Sequence, residues 1–247
     1  RDDLVTGVQT CALPISLLAQ SHQVSTLDIR DADFPCDLSD PALRDATLSA
    51  LAKQQIFFDG IVTCAGVASH FPDIAAIPAI NFFGSVRVVE ALLDRLSSGA
   101  RILAISSNSA PQSRNTALVA AMLEDDEQTT RRLSGEGSGH EAYAASKLAI
   151  AKWVRKRAPE LAARGITINA IAPGYIETPM TQAVAQSEEY GDAIRDFVDS
   201  IPIGRPGQPE DVAQLAQFLL SPAAEFMTGN VVFIDGGHDA LFRPESV

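Results

Sequence analysis

The sequence is poor in the residues that build metal centres and disulfide frameworks. Its 247 residues include three cysteines and four histidines. Cys11, Cys36 and Cys64 stand at no metal-ligand spacing, and so few cysteines suit a reducing compartment, which predicts a cytoplasmic protein. No apolar run reaches the roughly 18–20 residues of a membrane-spanning helix. These shortages argue against a metalloenzyme, a disulfide-rich secreted domain and a membrane protein.

Positive charge is also scarce. The chain has 19 Lys and Arg against 31 Asp and Glu, a formal net charge of −12, which argues against a nucleic-acid-binding surface. Hydrophobic residues make up 46% and charged residues 20%, a balance typical of a folded domain rather than a disordered chain. A chain of this length can form one large α/β domain with its own core.

Short apolar runs alternate with helical patterns along the chain. The patterns predict strands at 24–28, 60–65, 101–105, 166–171 and 231–235, and helices at 42–53, 80–96, 140–164, 181–200 and 209–220. Such alternation predicts βαβ units. The expected fold class is therefore α/β, a single-domain, doubly wound parallel sheet of the Rossmann type with helices on both faces. Pro159 is expected to bend or break its helix.

The stretch 110–139 interrupts this alternation. We interpret it as an insert between the fifth strand and the next helix, with an acidic helix at 118–127 and a Gly/Ser-rich passage at 134–139. The acidic run 124–127 is predicted to be a solvent-exposed face.

Polar and turn residues stand where several predicted strands end. They are Asp28, Gly66, Ser107, and the pair Pro173 and Gly174. In open parallel sheets, ligands bind beyond the carboxyl ends of the strands. The sequence therefore predicts that these residues share one ligand-binding rim.

The segment 140–150 (HEAYAASKLAI) carries Tyr143 and Lys147, four residues apart. On a helix that spacing places both side chains on one face. An ammonium beside a tyrosine lowers the pKa of its hydroxyl, and such a pair can transfer a proton to or from an alcohol. Taken alone, the pattern fits an ordinary exposed helix pair equally well, so its function depends on a nucleotide site and a hydroxyl donor elsewhere.

Taken together, these motifs resemble the short-chain dehydrogenase/reductase family across residues 16–247. The matching pieces are Asp37 with Leu38, the TCAG at 63–66, Asn81, Ser107, Tyr143 with Lys147, the APG at 172–174 with Thr178, and the DGG at 235–237. Tyr143 follows Ser107 by 36 positions, a separation that marks a subgroup with a long insert. This insert and two further passages, LDIRDAD at 27–33 and DGGHDALFRP at 235–244, are similar to the corresponding parts of bacterial hydroxysteroid dehydrogenases.

The resemblance implies a role for each catalytic candidate. Tyr143 would be the general acid/base, and Lys147 would lower its pKa and hold the cofactor ribose. Ser107 would hydrogen-bond the substrate oxygen, with Ser106 as its rival. Asn81 would anchor a water that relays protons; the alternative is that it caps its helix.

The resemblance also implies NAD as the cofactor. Asp28 would accept hydrogen bonds from the adenosine ribose and repel a 2′-phosphate, although Arg30 could soften that choice. The adenine would meet Asp37 and Leu38, and the backbone would approach the cofactor at Ala65 and Gly66. The expected nicotinamide-side residues are Pro173, Gly174 and Thr178. For Thr178 the alternative is a helix cap.

The implied reaction interconverts a secondary alcohol and a ketone. A flap at 181–200 would cover the substrate, and Met180, Val184 and Phe197 suit a hydroxysteroid or a similar apolar carbonyl compound, although they are equally consistent with a core. Two alternatives stay open: an aromatic, coniferyl-type alcohol dehydrogenase, and a non-catalytic nucleotide-binding protein on the same fold.

The insert lies beside helices that family members use for assembly, so a homodimer is expected.

The first residues fit neither the pattern nor the family. Residues 5–15 (VTGVQTCALPI) match the translation of a common sequencing-adapter oligonucleotide over eleven consecutive positions. We therefore expect 1–15 to be a non-native segment, with the first strand and the glycine-rich turn of the family missing or replaced. Weak cofactor binding, or an inactive fragment, would follow. The alternative is a genuine strand and glycine turn at 4–7.

Overall fold

The computed structural model describes residues 3–7, 19–20, 22–178, 181 and 191–246. Seven parallel strands form one sheet in the order β3-β2-β1-β4-β5-β6-β7. The strands are β1 (Asp3–Gly7), β2 (Gln23–Asp28), β3 (Phe34–Pro35), β4 (Phe58–Thr63), β5 (Leu96–Ile105), β6 (Thr167–Pro173) and β7 (Val231–Ile234). Each neighbouring pair is parallel, and the predicted Rossmann-type α/β fold is confirmed.

The first strand is not missing, so of the expectation that it is missing or replaced only a replaced strand stays a prediction. Asp3–Gly7 forms β1 and pairs with β2 on one side and β4 on the other. A backbone segment between two parallel strands finds hydrogen-bond partners on both edges, and Leu4, Val5 and Thr6 suit a strand. The non-native origin of residues 1–15 stays a prediction, and the segment that follows β1, residues 8–18, lies outside the described residues.

Alternation along the central strands gives the sheet two apolar faces. In β4, Ile61 belongs to one hydrophobic cluster and Val62 to another. Ile102 and Leu103 divide in the same way on β5. Because successive strand residues point to opposite faces, both faces need a helical cover.

Helices provide that cover on both faces. The described helices are α1 (Pro41–Lys53), α2 (Ala76–Pro78), α3 (Ser85–Leu92), α4 (Thr116–Leu123), α5 (Glu127–Gly135), α6 (Gly139–Ala163), α7 (Gly191–Asp199), α8 (Pro209–Leu220) and α9 (His238–Phe242). Buried side chains of α1, α3 and α6 join the larger cluster, whereas Val212, Ala216 and Leu219 of α8 join the other.

A π-helical turn, Ala79–Gly84, links α2 to α3 without a break. The stretch Ala76–Arg95 is apolar and long enough by composition to cross a membrane, unlike the sequence expectation, but 72% of its most apolar window is buried inside the fold. That degree of burial is typical of the core helix of a globular domain.

The helix α6 begins at the end of the insert and runs without interruption for 25 residues. Ser138 caps it by accepting a hydrogen bond from the Glu141 N–H at 3.2 Å. A Cβ on Gly139 would lie 2.0 Å from the Ser69 carbonyl oxygen, so only glycine permits this close approach. The expected break at Pro159 is wrong, because buried neighbours such as Ala158 and Leu161 hold this part of the helix in the core.

The insert forms two helices rather than one acidic helix at 118–127. The break falls at Asp125, whose φ is +63°, a left-handed conformation that ends α4. In the acidic run 124–127, Glu124, Asp125 and Asp126 are exposed, so the predicted solvent-exposed face is wrong only for Glu127, which is 15% exposed. Asp125 pairs with Arg87 at 2.8 Å, Asp126 caps α5, and Glu127 pairs with buried Arg44 at 2.7 Å.

Candidate functional site

A cavity of about 120 Å³ lies at the carboxyl ends of β4, β5 and β6, and we call it the Tyr143 cavity. Its lining includes six of the predicted site residues: Gly66, Ser107, Tyr143, Lys147, Pro173 and Gly174. Residues up to 108 positions apart in the sequence thus meet at one rim, as the common edge of a parallel sheet requires.

The Tyr143 side chain is half-buried and is hydrogen-bonded to the Ser107 side chain. Burial raises the pKa of the Tyr143 hydroxyl above its ordinary value, because a phenolate is poorly solvated there, while the hydrogen bond with Ser107 acts in the opposite direction. The sequence predicted a lowered pKa, and that expectation is wrong for this geometry. Lys147 Nζ lies over the ring, 5.7 Å from its centroid.

Lys147 is only 5% exposed. Its ammonium donates a hydrogen bond to the Ile105 carbonyl oxygen at 3.0 Å, which fixes the charge at the end of β5. A buried ammonium needs such acceptors to offset its lost hydration. The Ile105 carbonyl is a site group that the sequence could not reveal, since any residue type supplies a backbone carbonyl.

The structure separates the two rival serines. Ser106 is 1% exposed, and its hydroxyl donates to the Lys147 carbonyl oxygen at 2.8 Å, so it fastens α6 to the sheet. The Ser107 hydroxyl contacts the Tyr143 side chain and accepts hydrogen bonds from the Ser109 N–H at 3.2 Å and the Ser109 hydroxyl at 3.0 Å. Of the two, Ser107 has the geometry expected of a hydroxyl donor to a substrate.

Asn81 is fully buried inside the π-helical turn, so the alternative that it caps a helix is wrong. Its Oδ1 accepts from the Val67 N–H at 2.8 Å, and its Nδ2 donates to the Val67 carbonyl at 3.0 Å and to the Ser146 hydroxyl at 3.3 Å. The side chain therefore ties the segment after β4 to α6. Ser146 is a partner that sequence reasoning missed.

A second cavity, of about 270 Å³, lies beyond β2, and we call it the Asp28 cavity. Its lining includes Asp28, Ile29, Arg30, Asp37, Leu38, Ser39 and Ala65. The Asp28 carboxylate accepts from the Ile29 N–H at 2.5 Å. Burial raises the pKa of this carboxyl, although backbone hydrogen bonds and the nearby Arg30 charge act against that shift.

One wall of the Asp28 cavity is a turn that Asp37 shapes. The Asp37 carboxylate accepts hydrogen bonds from the Ser39 N–H at 2.8 Å and from the Ser39 hydroxyl at 2.6 Å.

Two glycines allow the rim to be tightly built. A Cβ on Gly66 would lie 3.1 Å from Asn81 Oδ1 and 3.6 Å from Lys147 Nζ. On Gly174 it would lie 2.6 Å from the Cβ of Asp235, a clash that no side chain avoids without movement. Since Ala65 and Gly66 are consecutive, the Asp28 and Tyr143 cavities adjoin along one edge of the sheet.

Thr178 lies beyond the end of β6. Its Oγ1 accepts from the Thr181 N–H at 3.3 Å and lies 3.1 Å from the Thr181 hydroxyl, which is the contact expected of a helix cap. Nine of the twenty residues of the predicted flap at 181–200, namely 182–190 with Val184, lie outside the described residues, as does Met180.

A third cavity, of about 360 Å³, was not foreseen, and we call it the Phe197 cavity. Phe197 on α7 packs edge-on against His238 at 4.5 Å between ring centroids, and His238 lies 4.6 Å from Phe242. Asn108, the neighbour of Ser107, completes this wall. The sequence indicated Phe197 as a candidate substrate contact, whereas His238 and Phe242, in the passage 235–244, had no assigned role.

Comparison with known proteins identifies relatives along the chain. A family model described as enoyl-(acyl carrier protein) reductase matches residues 128–239. The 3-alpha-hydroxysteroid dehydrogenase/carbonyl reductase of Comamonas testosteroni is 38% identical over 97% of this chain and 95% of its own. L-2,3-butanediol dehydrogenase of Corynebacterium glutamicum is 30% identical over 81% of this chain and 75% of its own.

A solved structure is also similar over both complete chains. It is the 3-alpha-hydroxysteroid dehydrogenase from Pseudomonas sp. B-0831 complexed with NADH, with a TM-score of 0.90 and 35% sequence identity. The fold and the sequence therefore point to the same set of relatives.

The contact between Ser107 and Tyr143 makes a testable prediction about proton affinity. Ser107→Ala removes the hydrogen bond that lowers the pKa of Tyr143, so that pKa is expected to rise further. NMR titration of tyrosine ring carbons, with Tyr143→Phe to assign the signal, measures it. Ser134→Ala is the matched control, because this buried serine of α5 also donates its hydroxyl to a backbone carbonyl, that of Thr130, and does not line the Tyr143 cavity. An equal shift in both variants would contradict the assigned contact.

Proposed function

Since the chain belongs to the short-chain dehydrogenase/reductase family of oxidoreductases, we propose that it interconverts a secondary alcohol and a ketone with NAD as cofactor. The proposed substrate is a hydroxysteroid or a similar apolar carbonyl compound. The observation that carries the proposal is the Tyr143 side chain hydrogen-bonded to Ser107, with the Lys147 charge over its ring, in a cavity at the sheet rim.

Tyr143 is the proposed proton donor and acceptor. In ketone reduction its hydroxyl gives a proton to the carbonyl oxygen as that oxygen gains negative charge. Because burial raises the pKa of Tyr143, the hydroxyl keeps its proton near neutral pH, as a general acid must. In alcohol oxidation the phenolate takes the proton back, and the nearby Lys147 ammonium stabilises it.

Ser107 and Asn81 have different proposed parts. Ser107 hydrogen-bonds the substrate oxygen and holds it against Tyr143. The Asn81 side chain bonds the Val67 backbone and the Ser146 hydroxyl, so we propose that it positions the rim around Gly66 and Lys147. The relay water anchored at Asn81 stays a prediction.

The described residues fit a dinucleotide along the two adjoining cavities. The Asp28 cavity places a carboxylate at the end of β2, where an adenosine ribose would donate to it and a 2′-phosphate would be repelled, so NAD is favoured over NADP. Asp37, Leu38 and Ala65 would border the adenine side. Gly66, Pro173 and Gly174 would border the nicotinamide side with Lys147, and Thr178 is proposed beside them. When bound, NAD accepts or supplies the hydride of the reaction.

The Phe197 cavity supports an apolar, ring-containing substrate. Phe197 and Phe242 supply aromatic surface, and aromatic walls favour flat hydrocarbon rings. Two relatives named for 3-alpha-hydroxysteroids match 97% and 100% of this chain, which favours a steroid. The aromatic-alcohol alternative keeps the same wall, so relative turnover of the two substrate classes distinguishes them.

The first experiment measures NADH binding and NADH-dependent reduction of a 3-ketosteroid. We expect turnover, and expect Tyr143→Phe to lower it by about 100-fold or more while leaving NADH bound. Unchanged activity in Tyr143→Phe, or NADH binding with no turnover of any alcohol or ketone, would favour the non-catalytic alternative. Faster oxidation of a coniferyl-type alcohol than of a hydroxysteroid would favour the second enzyme.

The same assay is run on a version in which residues 1–15 are replaced by a family-like strand and glycine-rich turn. Weak NADH binding by the present chain and tighter binding by the replaced version are expected, because that turn brings backbone N–H groups to the pyrophosphate. Equal binding by the two would contradict the non-native reading of residues 1–15.

The pH dependence should differ between the two reaction directions. Since the pKa of Tyr143 is raised, its phenolate fraction should grow about tenfold per pH unit below that pKa, and alcohol oxidation should rise with it. Ketone reduction needs the protonated hydroxyl, so it should stay level through neutral pH and fall only in the alkaline range. Single-turnover rates over a pH series measure both. Opposite slopes would exclude Tyr143 as the titrating group.

We also propose that the protein is a cytoplasmic homodimer. The strand β7 lies at an edge of the sheet, and Ile203 and Phe218 are 65% and 42% exposed beside it, in one open cavity. Exposed apolar surface of this kind favours an interface. Light scattering should give twice the chain mass of 26.2 kDa, and Phe218→Asp should return the protein to that mass. A monomer or tetramer for the unmodified protein would contradict the dimer.

A further inference from the structure

Arg44 is a buried charged residue that does not line the Tyr143 cavity. It lies on α1, and its side chain is 1% exposed. Its Nη2 donates to Glu127 Oε2 at 2.7 Å and its Nη1 to Oε1 at 3.3 Å, a two-point pairing. Glu127 begins α5 inside the insert and is 15% exposed. Asp45 is a more distant, solvent-exposed neighbour, with its Oδ1 3.7 Å from Arg44 Nε. The buried charge of Arg44 is therefore balanced mainly by the insert.

The same guanidinium reaches the wall of the Asp28 cavity. Arg44 Nη1 also donates to the Leu38 carbonyl oxygen at 3.3 Å. A second arginine of the insert, Arg131, donates to the next carbonyl, that of Ser39, at 3.4 Å. Leu38 and Ser39 both line the Asp28 cavity. Two arginines thus donate to consecutive carbonyls of one cavity wall. Arg44 is paired with Glu127 of the insert, and Arg131 is itself part of the insert.

The wall is a turn, and the hydrogen bonds that Ser39 donates to the Asp37 carboxylate shape it locally. It joins β3 to α1, and turns move more readily than the elements they connect. On its inner side Leu38 packs so closely that a Cβ on Gly84 would lie 3.1 Å from the Leu38 Cβ. The arginine contacts act through the backbone carbonyls of Leu38 and Ser39, so their loss would let the turn move without emptying the core.

We propose that Arg44, held by Glu127, is a positioning residue that fixes this turn for the adenosine half of the dinucleotide. The proposal rests on the proposed function, because it takes the Asp28 cavity as the adenosine site. The proposal assigns the insert a role in cofactor binding, although Arg131 of the insert lies 92 positions along the chain from Ser39 of the turn that it contacts.

The test is Glu127→Gln in the full chain. Glutamine keeps the shape but leaves the buried guanidinium without its counter-charge. If the turn then holds its binding geometry in about one tenth of the molecules, the apparent Kd for NADH rises about tenfold. NADH fluorescence titration measures this Kd. The kcat at saturating NADH should stay within about twofold, because the Tyr143 cavity is untouched.

Asp125→Asn is the matched control. It removes an ion pair of the same insert, between Asp125 and Arg87 at 2.8 Å, and asparagine tolerates the positive φ at this position. Since Arg87 lies on α3 and not at the turn, this variant should bind NADH like the unmodified protein. Equal Kd values for folded Glu127→Gln and Asp125→Asn would overturn the proposal.

Amide hydrogen exchange gives a readout that needs no cofactor. Glu127→Gln should accelerate exchange of the Ser39 and Asp40 amides by about tenfold while amides of β5 keep their rates. Uniform acceleration throughout the protein would mean a purely structural pair and would overturn the proposal. If Glu127→Gln does not fold, Arg131→Gln, which removes only the contact to Ser39, replaces it with the same expected direction.

The two proposals fail differently. If the unmodified protein and its N-terminally replaced version both fail to bind NADH, the cofactor assignment of the proposed function is wrong. Amide hydrogen exchange at Ser39 and Asp40 then decides whether Arg44 and Glu127 hold the turn. If both bind NADH and the Glu127→Gln form binds it equally well, the proposed function stands and the positioning role falls.

Discussion

Two hydrogen bonds between the end of β5 and the middle of α6 are the constraint on which the site depends. Ser106 donates to the Lys147 carbonyl, and Lys147 Nζ donates to the Ile105 carbonyl. Neighbouring residues thus exchange donors and acceptors across the junction of sheet and helix. Because both bonds are buried, losing either would leave an unsatisfied polar group at a cost of about 1–3 kcal/mol. They fix which turn of α6 faces the rim, and with it the position of Tyr143 relative to Ser107.

Three glycines allow the sheet and α6 to approach each other closely at this junction. Gly139 lets the start of α6 touch the Ser69 carbonyl, and Gly66 leaves a gap between Asn81 and Lys147. At Gly174 the backbone passes against Asp235. In each place the absence of a side chain brings main chain or functional groups closer than any other residue would allow. The rim is therefore built from the β4, β5 and β6 ends at contact distance, with its open side left to a ligand.

The sequence predicted the fold and most of the rim because both depend on local patterns. Apolar strands alternating with helices require a parallel sheet, and the residues that end those strands must share an edge. What it could not predict depends on tertiary packing. The pKa of Tyr143 moves in the unexpected direction because burial, which spacing on a helix does not report, outweighs the other effects. The partners of Asn81 and the wall around Phe197 are likewise set by segments distant in the chain.

The N-terminal segment shows the limit of arguing from motifs. Residues 5–15 match an adapter translation, and the absence of the family's glycine pattern predicts that the first strand and its turn are missing or replaced. The gap between β2 and β4 nevertheless requires some extended segment, because each neighbour presents a row of backbone donors and acceptors. Asp3–Gly7 meets that requirement with a short run of β-forming residues. Topology therefore constrains the backbone here more strongly than it constrains the side chains.

The two buried cations differ in what their charges do: Arg44 supports the structure, and Lys147 lies beside the proposed catalytic tyrosine. An arginine stays charged under physiological conditions and offers a rigid fork, so Arg44 suits a permanent two-point pairing with Glu127 and a reach to a carbonyl. A lysine is a compact charge on a flexible stem, and Lys147 sets that charge beside Tyr143 with a backbone carbonyl as an anchor. The Ile105 carbonyl carries no full charge, so this contact holds the Lys147 ammonium in place without itself neutralising the charge that the proposed phenolate needs. Arg44 thus closes a two-point ion pair in the core, whereas Lys147 lies over the ring of the side chain proposed to transfer the proton.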